Sequence, residues 1–459
     1  MVFSSLLFLY VFLPLALFLY YVSPKKIKNF TLFILSLIFY AWGEPIYVGI
    51  MLFSSVFDYF NGRLLNKFKE TWKRKAVLIL SVVVNIGLLF FFKYYNFLID
   101  NLNYIFHLNI SASRLTLPLG ISFYTFQTLS YTIDVYRKEV EASNNFFDYS
   151  AYVAMFPQLV AGPIVRYIDI FKQLNNRNFT DKSIGYGIKR FIYGLAKKVL
   201  IANKLGALYK IVLEKNIFEL SSSMAWLGIL AFTLQIYFDF SGYSDMAIGL
   251  GRMLGFDFLE NFNFPYISKS ITEFWRRWHM SLSLWFKSYV YIPLGGNRVK
   301  LPRQIFNLFI TWFLTGFWHG ADFNFILWGL YYFLLLTLEK FLLKDALEKA
   351  PNIIKHIYAI FFIIIGWVIF EFKVQEIIPF IKAMFNFKNF ASKETIFYLR
   401  EYGFYLILAT LLSFGALKKL IDKDRETSYL EIVFLFILLV LVTMALISEA
   451  YNPFLYFRF

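Results

Sequence analysis

The stretch YLEIVFLFILLVLVTMALI, from Tyr429 to Ile447, is apolar along nearly its whole length. An α-helix needs about 20 such residues to cross the hydrocarbon core of a bilayer. A second run of the same kind, SSLLFLYVFLPLALFLYYV, extends from Ser4 to Val22. In the whole chain of 459 residues, 59% are hydrophobic and 17% are charged. In a typical soluble domain about half of the residues are apolar and about a quarter are charged. The sequence therefore predicts an all-α, polytopic membrane protein.

Cationic residues cluster in short loops between the apolar runs. Three such loops are PKKIK (Pro24 to Lys28), KFKETWKRK (Lys67 to Lys75) and KKLIDKDR (Lys418 to Arg425). Short basic loops are typical of the cytoplasmic side of a membrane protein. This pattern accounts for the net charge of +16 without a nucleic-acid partner. Because the first basic loop follows the run from Ser4 to Val22, we expect a retained span with its N-terminus outside, and not a cleaved signal peptide.

The segment 29–62 lies between two predicted cytoplasmic loops, so it has to cross the membrane twice or not at all. It carries the breaker Gly43-Glu44-Pro45 near its middle, which predicts two short passes that form a hairpin. Further apolar segments bring the total to about a dozen; they lie near 76–97, 115–135, 149–164, 184–206, 224–250, 305–317, 324–343, 354–371, 402–420 and 428–449.

Two motifs, at Pro118 to Phe126 and at Phe156 to Arg166, are too short or too interrupted by glycine and proline to span. Irregular backbone at membrane depth survives only where protein buries it or where it lines a wet cavity. We therefore expect residues 1–459 to form one integral-membrane domain that encloses a funnel or tunnel.

The segment FWRRWHMSLSLWFKSYVYIPLGGNR, from Phe274 to Arg298, is both basic and aromatic. At about 100° per residue, one helical stripe carries Trp275, Trp278, Leu282, Trp285, Phe286 and Tyr289. His279 lies at the edge of this stripe, and Arg276, Ser283 and Lys287 line the strip beside it. The pattern predicts one amphipathic helix at an interface. An interfacial anchor without a site is the alternative, since Trp and Arg favour that depth.

The chain has four histidines. His107, in a loop, and His356, near a basic stretch, are typical of surface residues. His319 lies in an apolar run between Gly316 and Gly320, which predicts a break in the helix or a close approach of backbone at that point. An ionisable side chain at membrane depth is a functional candidate, and a hydrogen-bonded core histidine is the alternative.

Two buried imidazoles beside cations suit a particular chemistry. Burial favours the neutral imidazole, which accepts a proton from a hydroxyl nucleophile. Neighbouring cations bind the phosphates of a donor. These properties favour attack of a hydroxyl on an activated acyl group. A metal site is less favoured because the third ligand is not obvious, although Asp239, Asp245 and Asp322 are open candidates. The chain has no cysteine, which excludes thiolate ligands and nucleophiles.

Several stretches together resemble the membrane-bound O-acyltransferases, in the bacterial branch of alginate and peptidoglycan O-acetyltransferases. The core motifs fall within about residues 115–345. The matching stretches are PLGISFYTFQTLSYTIDVYR (Pro118 to Arg137), FPQLVAGPIVR (Phe156 to Arg166), QIYFDFSGYSDMAIGLGRMLGF (Gln235 to Phe256), Asn261 to Arg298, LTGFWHGADFNFILWGLYY (Leu314 to Tyr332) and PFLYFRF (Pro453 to Phe459).

The resemblance implies a ring of membrane helices around a central tunnel in the bacterial cytoplasmic (inner) membrane. It also implies acetyl-CoA as a donor substrate, no bound cofactor, and a periplasmic partner of the SGNH esterase-like type. The acceptor is then a cell-envelope polysaccharide. We favour peptidoglycan over alginate because the Phe, Lys and Ile usage suggests an AT-rich genome.

The resemblance also implies roles for individual residues. The invariant histidine of the family matches His319, which we expect to act as general base. A second functional histidine matches His279, which we expect to stabilise the oxyanion or to orient a substrate. Trp318 and Asn324 are candidate oxyanion donors.

The motif DFSGYSD contributes Asp239 and Tyr243 as candidate substrate-binding residues. Its Ser241 and Asp245 lie on the same helix. The alternative is that these small and polar side chains hold helices together.

Two other functions stay open. One is a D-alanyl transferase for teichoic acid, which takes its acyl group from a carrier protein. The other is a transporter in which the two histidines relay protons, although the chain lacks the internal repeat that is typical of secondary transporters.

Overall fold

The structure is a computed structural model that describes residues 1–111, 115–159, 162–177, 179–416, 427–448 and 455. Over these residues every regular element is a helix, and the prediction of an all-α protein is confirmed. The basic loop from Lys418 to Arg425 lies outside the described residues. So does the terminal motif from Pro453 to Phe459, except for Leu455.

The chain forms two compact units, of which the first comprises Met1–Phe191 and Met246–Leu259. Its own helices are α1 (Leu13–Val22), α2 (Lys28–Ala41), α3 (Val48–Lys67), α4 (Thr71–Phe106), α5 (Ile121–Arg137), α6 (Phe146–Ala154), α7 (Phe156–Leu159) and α8 (Tyr167–Asn175).

The second unit comprises Ile192–Asp245 and Glu260–Phe459. In chain order, the remaining helices are α9 (Asp181–Ala196), α10 (Asn203–Leu213), α11 (Ser222–Met253), α12 (Ile271–Arg277), α13 (Met280–Phe286), α14 (Leu301–His319), α15 (Phe323–Phe341), α16 (Lys344–Lys349), α17 (Asn352–Glu371), α18 (Val374–Met384), α19 (Lys393–Ser413) and α20 (Tyr429–Ser448). Of these, α9 and α11 contribute residues to both units.

Five of the described helices are long and apolar enough to cross a membrane, namely α4, α11, α17, α19 and α20. The stretch from Tyr429 to Ile447 therefore forms a candidate span, as its composition predicts. The N-terminal run is helical only from Phe8 to Val22, through a π-helical turn and then α1, and is shorter. The prediction of a multi-pass helical membrane protein is confirmed.

The predicted breaks in the first unit are present. Helix α2 ends at Ala41 and α3 begins at Val48, on either side of Gly43-Glu44-Pro45. Pro45 has no N–H to donate and disfavours helical conformation at the residue before it. The interrupted motif that begins at Phe156 contains the single-turn helix α7, all of whose residues are buried. Protein thus encloses the backbone of Phe156–Leu159, as its position in an apolar region requires, while residues 160 and 161 of this motif lie outside the described residues.

A buried carboxylate joins three helices of the first unit. Asp58 of α3 accepts hydrogen bonds from Ser81 Oγ (2.6 Å) and Asn85 Nδ2 (2.6 Å), both on α4. Asn61 Nδ2 (3.2 Å) and Thr132 Oγ1 (3.3 Å) of α5 donate to the same carboxylate. All five residues are buried. Four donors converge on one acceptor, so the packing of α3, α4 and α5 depends on this side chain.

We predict that Asp58→Ala lowers the free energy of unfolding by about 3 kcal/mol or more, because it leaves several buried donors without an acceptor. Asp58→Asn should cost less, since it keeps the shape and one acceptor oxygen. Thermal unfolding in detergent measures both changes. Glu70→Gln removes a carboxylate from an exposed ion pair with Lys73 and should leave the melting temperature nearly unchanged. A melting temperature for Asp58→Ala equal to that of this control would contradict the prediction.

Candidate active site

His319 is the last residue of α14, and Gly320 follows in extended backbone. The predicted break at this histidine is therefore confirmed. Helices α14 and α15 approach closely through Gly316 and Gly329. A Cβ on Gly316 would overlap the carbonyl oxygen of Phe325, and a Cβ on Gly329 would overlap that of Trp312. Only glycine permits this approach, which fixes the turn that carries the histidine.

Aromatic rings surround the His319 imidazole, which is 6% exposed. The ring centroid of Trp328, on α15, is 4.8 Å from that of His319. The ring of Phe370, on α17, is 5.5 Å away, and that of the preceding Trp318 is 5.0 Å away. The histidine thus lies where α14, α15 and α17 meet.

His279 interrupts the basic aromatic segment, and the prediction of one continuous amphipathic helix there is wrong. Helix α12 ends at Arg277, α13 begins at Met280, and a π-helical turn, Lys287–Tyr291, follows. His279 has left-handed backbone, with φ of 44°. Non-glycine residues adopt this conformation only where their surroundings impose it, often at functional sites.

Asn261 stabilises the break by accepting three hydrogen bonds from the residues that follow it. Its backbone carbonyl accepts from the Met280 N–H (2.9 Å), which turns the chain away from a continuous helix. Its side-chain Oδ1 accepts from the N–H (3.2 Å) and the hydroxyl (2.9 Å) of Ser281. These hydrogen bonds stabilise the bend, because they satisfy buried polar groups that the end of the helix leaves without intrahelical partners.

The same oxygen determines the tautomer of His279. Asn261 Oδ1 lies 3.1 Å from His279 Nδ1. Since this Oδ1 already accepts from a backbone N–H, it is an acceptor, and Nδ1 of the imidazole is the donor. The neutral ring therefore carries its lone pair on Nε2.

Both histidines line one small cavity in the second unit. Its volume is about 20 Å³, which is about the room that one water molecule needs. Its lining residues are Ile236, Asp239, Phe240, Trp278, His279, His319, Trp328, Trp367, Phe370 and Leu455. Residues 40 apart in sequence thus face one space, together with a carboxylate from the motif DFSGYSD.

That carboxylate is held in a buried ion pair. Lys198 Nζ, in the π-helical segment Lys197–Ala202, lies 2.6 Å from Asp239 Oδ1, and both side chains are 3% exposed. Lys198 also donates to Asn203 Oδ1 (2.9 Å). Asp239 Oδ2 accepts from the backbone N–H of Leu455 (2.9 Å). Asp239 therefore lies beside the two histidines, and both of its carboxylate oxygens already bind other groups of the protein.

Three other candidate residues lie near this cavity but are not among its described lining residues. Tyr243 is buried one helical turn after Asp239 on α11. The ring of Trp318 lies 6.3 Å from that of His279, beside both histidines. Asn324 Nδ2 donates to the carbonyl of Phe370 (2.7 Å), which ties α15 to α17.

Arg276, Ser283 and Lys287 line a second, larger cavity of about 210 Å³. The cationic side chains of Arg276 and Lys287 are exposed. Neither has a carboxylate partner among the described residues, whereas the adjacent Arg277 forms an ion pair with Glu273 (2.9 Å). The strip that helical spacing predicts beside His279 thus faces a different space from His279 itself.

Indole rings separate the two cavities. Trp275 and Trp312 line the larger cavity, and Trp328 lines the smaller one. The Trp275 and Trp328 rings meet edge to face at 5.4 Å, and Trp312 lies 6.3 Å from Trp328. Glu339 of α15 holds this arrangement by accepting from the first N–H of α12, that of Ile271, at 2.6 Å.

Sequence reasoning missed Lys198, Asn261 and Leu455 as parts of the site. Lys198 carries a readable signal, since a lysine inside the apolar run GLAKKVLIA needs a carboxylate partner. Asn261 and Leu455 lie in motifs that the resemblance includes, but no local pattern assigns them a contact.

Residues 137–374 match the model of MBOAT, the membrane-bound O-acyltransferase family. The chain belongs to this family. It is therefore an acyltransferase enzyme, and a transporter without chemistry is not supported. The match contains His279, His319, Asp239 and the three predicted site residues that line the larger cavity.

Three curated proteins illustrate the similarity. The probable alginate O-acetylase AlgI of Pseudomonas aeruginosa is 45% identical over 86% of this chain and 76% of its own length. The Pseudomonas putida protein of that name is 39% identical over 100% of both chains. The peptidoglycan O-acetyltransferase of Helicobacter pylori is 34% identical over 90% of this chain and 86% of its own length.

We predict a pH-dependent stability that originates at His279, which lies outside the candidate spanning helices. Burial lowers the pKa of its imidazole from 6.5 to about 3. Below pH 6.5 the unfolded chain binds a proton that the folded protein does not, so stability is lost as the pH falls. Relative to His279→Gln, the wild type should lose about 1.4 kcal/mol per pH unit between about pH 6 and 4.

Thermal unfolding at a series of pH values, for both proteins in the same detergent, measures this difference. His107→Gln changes an exposed histidine and should follow the wild type. Parallel curves for the wild type and His279→Gln would show that His279 does not contribute to the pH dependence.

Proposed function

We propose that this membrane acyltransferase moves an acetyl group from cytoplasmic acetyl-CoA toward a hydroxyl of a cell-envelope polysaccharide. The observation that carries the proposal is the shared cavity of His279 and His319, with both imidazoles buried. Relatives named alginate O-acetylase and peptidoglycan O-acetyltransferase support the acetyl group and the class of acceptor.

His319 acts as general base in this proposal. It accepts the proton of the attacking hydroxyl while the hydroxyl oxygen bonds to the acetyl carbon. The carbon–sulfur bond of the thioester then breaks, and the departing thiolate takes the proton from His319. The aromatic surroundings of His319 exclude water, which otherwise competes as the acceptor.

His279 orients the acceptor through a second hydroxyl, because the single proton of the attacking hydroxyl goes to His319. The Nδ1 of His279 donates to Asn261, so its Nε2 accepts a hydrogen bond from that second hydroxyl and does not donate to an oxyanion. Of the two roles that the sequence leaves open for this residue, the tautomer favours orientation.

The larger cavity binds the phosphates of the donor. Arg276 and Lys287 supply exposed cations, and the apolar and aromatic lining suits the uncharged arm of coenzyme A. The thioester then has to pass the contact between Trp275 and Trp328 to approach His319.

The remaining parts of the proposal concern the acceptor and the setting. The protein works in the bacterial cytoplasmic membrane and passes the acetyl group to an SGNH-type partner on the outer side. Peptidoglycan is the acceptor that the Phe, Lys and Ile usage favours, while sequence identity is higher to the relatives named for alginate. Analysis of both polysaccharides for esters distinguishes the two.

We predict that His319→Ala lowers acetyl transfer by about 10²- to 10⁴-fold, which is the contribution typical of a general base. The measurement is transfer of radiolabelled acetyl from acetyl-CoA by purified protein in nanodiscs, with the candidate partner and acceptor present. His107→Ala removes an exposed histidine and should keep full activity. Near-normal activity of folded His319→Ala would rule out the base assignment.

We predict that Arg276→Gln and Lys287→Gln each raise the KM for acetyl-CoA about tenfold with little change in kcat. One charge-assisted hydrogen bond to phosphate contributes about 1.5 kcal/mol or more, and 1.4 kcal/mol is tenfold in affinity. Arg277→Gln is the matched control, because Arg277 is paired with Glu273.

An acetyl thioester without phosphates separates the possible outcomes. Both variants should use it as well as the wild type does. Equal losses of activity with both donors would show that the two cations contribute to folding or to binding of the acceptor, and not to binding of the donor phosphates. Wild-type activity only with an acylated carrier protein would favour the D-alanyl transferase alternative.

A further inference from the structure

We propose that Leu455 sets the length of the acyl chain that the histidine cavity accepts. This inference rests on the acyl transfer proposed above and adds a residue that selects among acyl groups. It concerns the described residue Leu455, which is 4% exposed and lines the cavity together with His279 and His319.

The lining of the cavity leaves few side chains that can adjust to a longer chain. Among the described lining residues only Ile236 and Leu455 are aliphatic. The aromatic members pack against one another, with Trp278 and Trp367 at 4.8 Å and Trp328 and Phe370 at 5.3 Å between ring centroids. Ile236 belongs to the long helix α11.

Leu455 is held at the cavity through its backbone. Its N–H donates to Asp239 Oδ2 (2.9 Å), and Asp239 is held in turn by Lys198 at 2.6 Å. Because no side-chain atom of Leu455 takes part in this hydrogen bond, a substitution at 455 keeps the anchor. Substitution of the Leu455 side chain therefore changes the lining of the cavity and leaves the ion pair of Lys198 and Asp239 in place.

The size of the cavity makes that side chain decisive. A space of about 20 Å³ has the room of about one water molecule, so even a two-carbon acyl group has to displace lining atoms, and each further methylene has to displace more of them. One methylene in a tight apolar pocket changes kcat/KM by about 10- to 200-fold. Leucine has three more carbons than alanine, and a butyryl group has two more than an acetyl group.

The experiment compares acyl esters made in cells by the full-length wild type, Leu455→Ala and Leu455→Val. Cells that express each protein grow with added propionate or butyrate, and esters released from the envelope polysaccharide are quantified by mass spectrometry. Leu335→Ala is the matched control, since Leu335 is a buried core leucine (5% exposed) that does not line the cavity. Immunoblots of membranes measure protein levels.

Wild type and Leu335→Ala should add acetyl almost alone. Leu455→Ala should raise the ratio of butyryl to acetyl esters at least tenfold, and Leu455→Val should raise mainly the propionyl ratio. An unchanged ratio in both Leu455 variants overturns the inference. Loss of all esters from both variants at normal protein levels also overturns it, because Leu455 would then serve transfer itself.

Ester profiles from cells do not depend on which thioester donates the acyl group. Absence of turnover by wild-type protein with acetyl-CoA therefore counts against the proposed donor alone. An unchanged chain-length ratio in cells counts against the role of Leu455 alone.

Discussion

The ion pair between Lys198 and Asp239 is the interaction on which the histidine cavity depends. Two charges that are 3% exposed are stable in an apolar region only when each compensates the other and further hydrogen bonds satisfy the remaining atoms. The Lys198 ammonium group donates a further hydrogen bond to Asn203, and the Asp239 carboxylate accepts a further one from the Leu455 N–H. One electrostatic requirement thus brings together a π-helical segment, α11 and a residue near the end of the chain. The wall that faces His279 and His319 consists in part of these groups.

The two cavities suit different physical demands of the proposed acyl transfer. In that proposal the phosphates of the donor need cations and water, and the larger cavity provides exposed Arg276 and Lys287. Proton transfer by a neutral imidazole needs a dry environment, which the buried rings around His319 provide. A single space would not satisfy both demands, because water that solvates the phosphates would also attack the thioester. Trp275, which lines the larger cavity, and Trp328, which lines the smaller one, meet edge to face between the two environments.

Much of the fold is predictable from the sequence, because the membrane restricts the backbone to a few solutions. Apolar runs of about 20 residues, the break at Gly43-Glu44-Pro45 and the break at His319 are all local properties, and all are present. The segment around His279 shows the limit of local reasoning. Its periodicity predicts one amphipathic helix, but Asn261 captures Met280 and Ser281 and ends the helix before them. Periodicity describes which faces are apolar, and it carries no information about a hydrogen-bonding partner about 20 residues away.

The sequence by itself determined the helical class and the family, and it singled out the two histidines and the cations that lie near His279 in sequence. Each of these depends on residue type and spacing along one segment. Only the tertiary structure decided which of these residues share a space. It placed Asp239 and Leu455 in the lining of the histidine cavity, and Arg276 and Lys287 in a separate cavity. Such groupings depend on helix crossings such as that of Gly316 and Gly329 and on pairing of buried charges. Both are interactions between segments that lie far apart in the chain, so no local pattern specifies them.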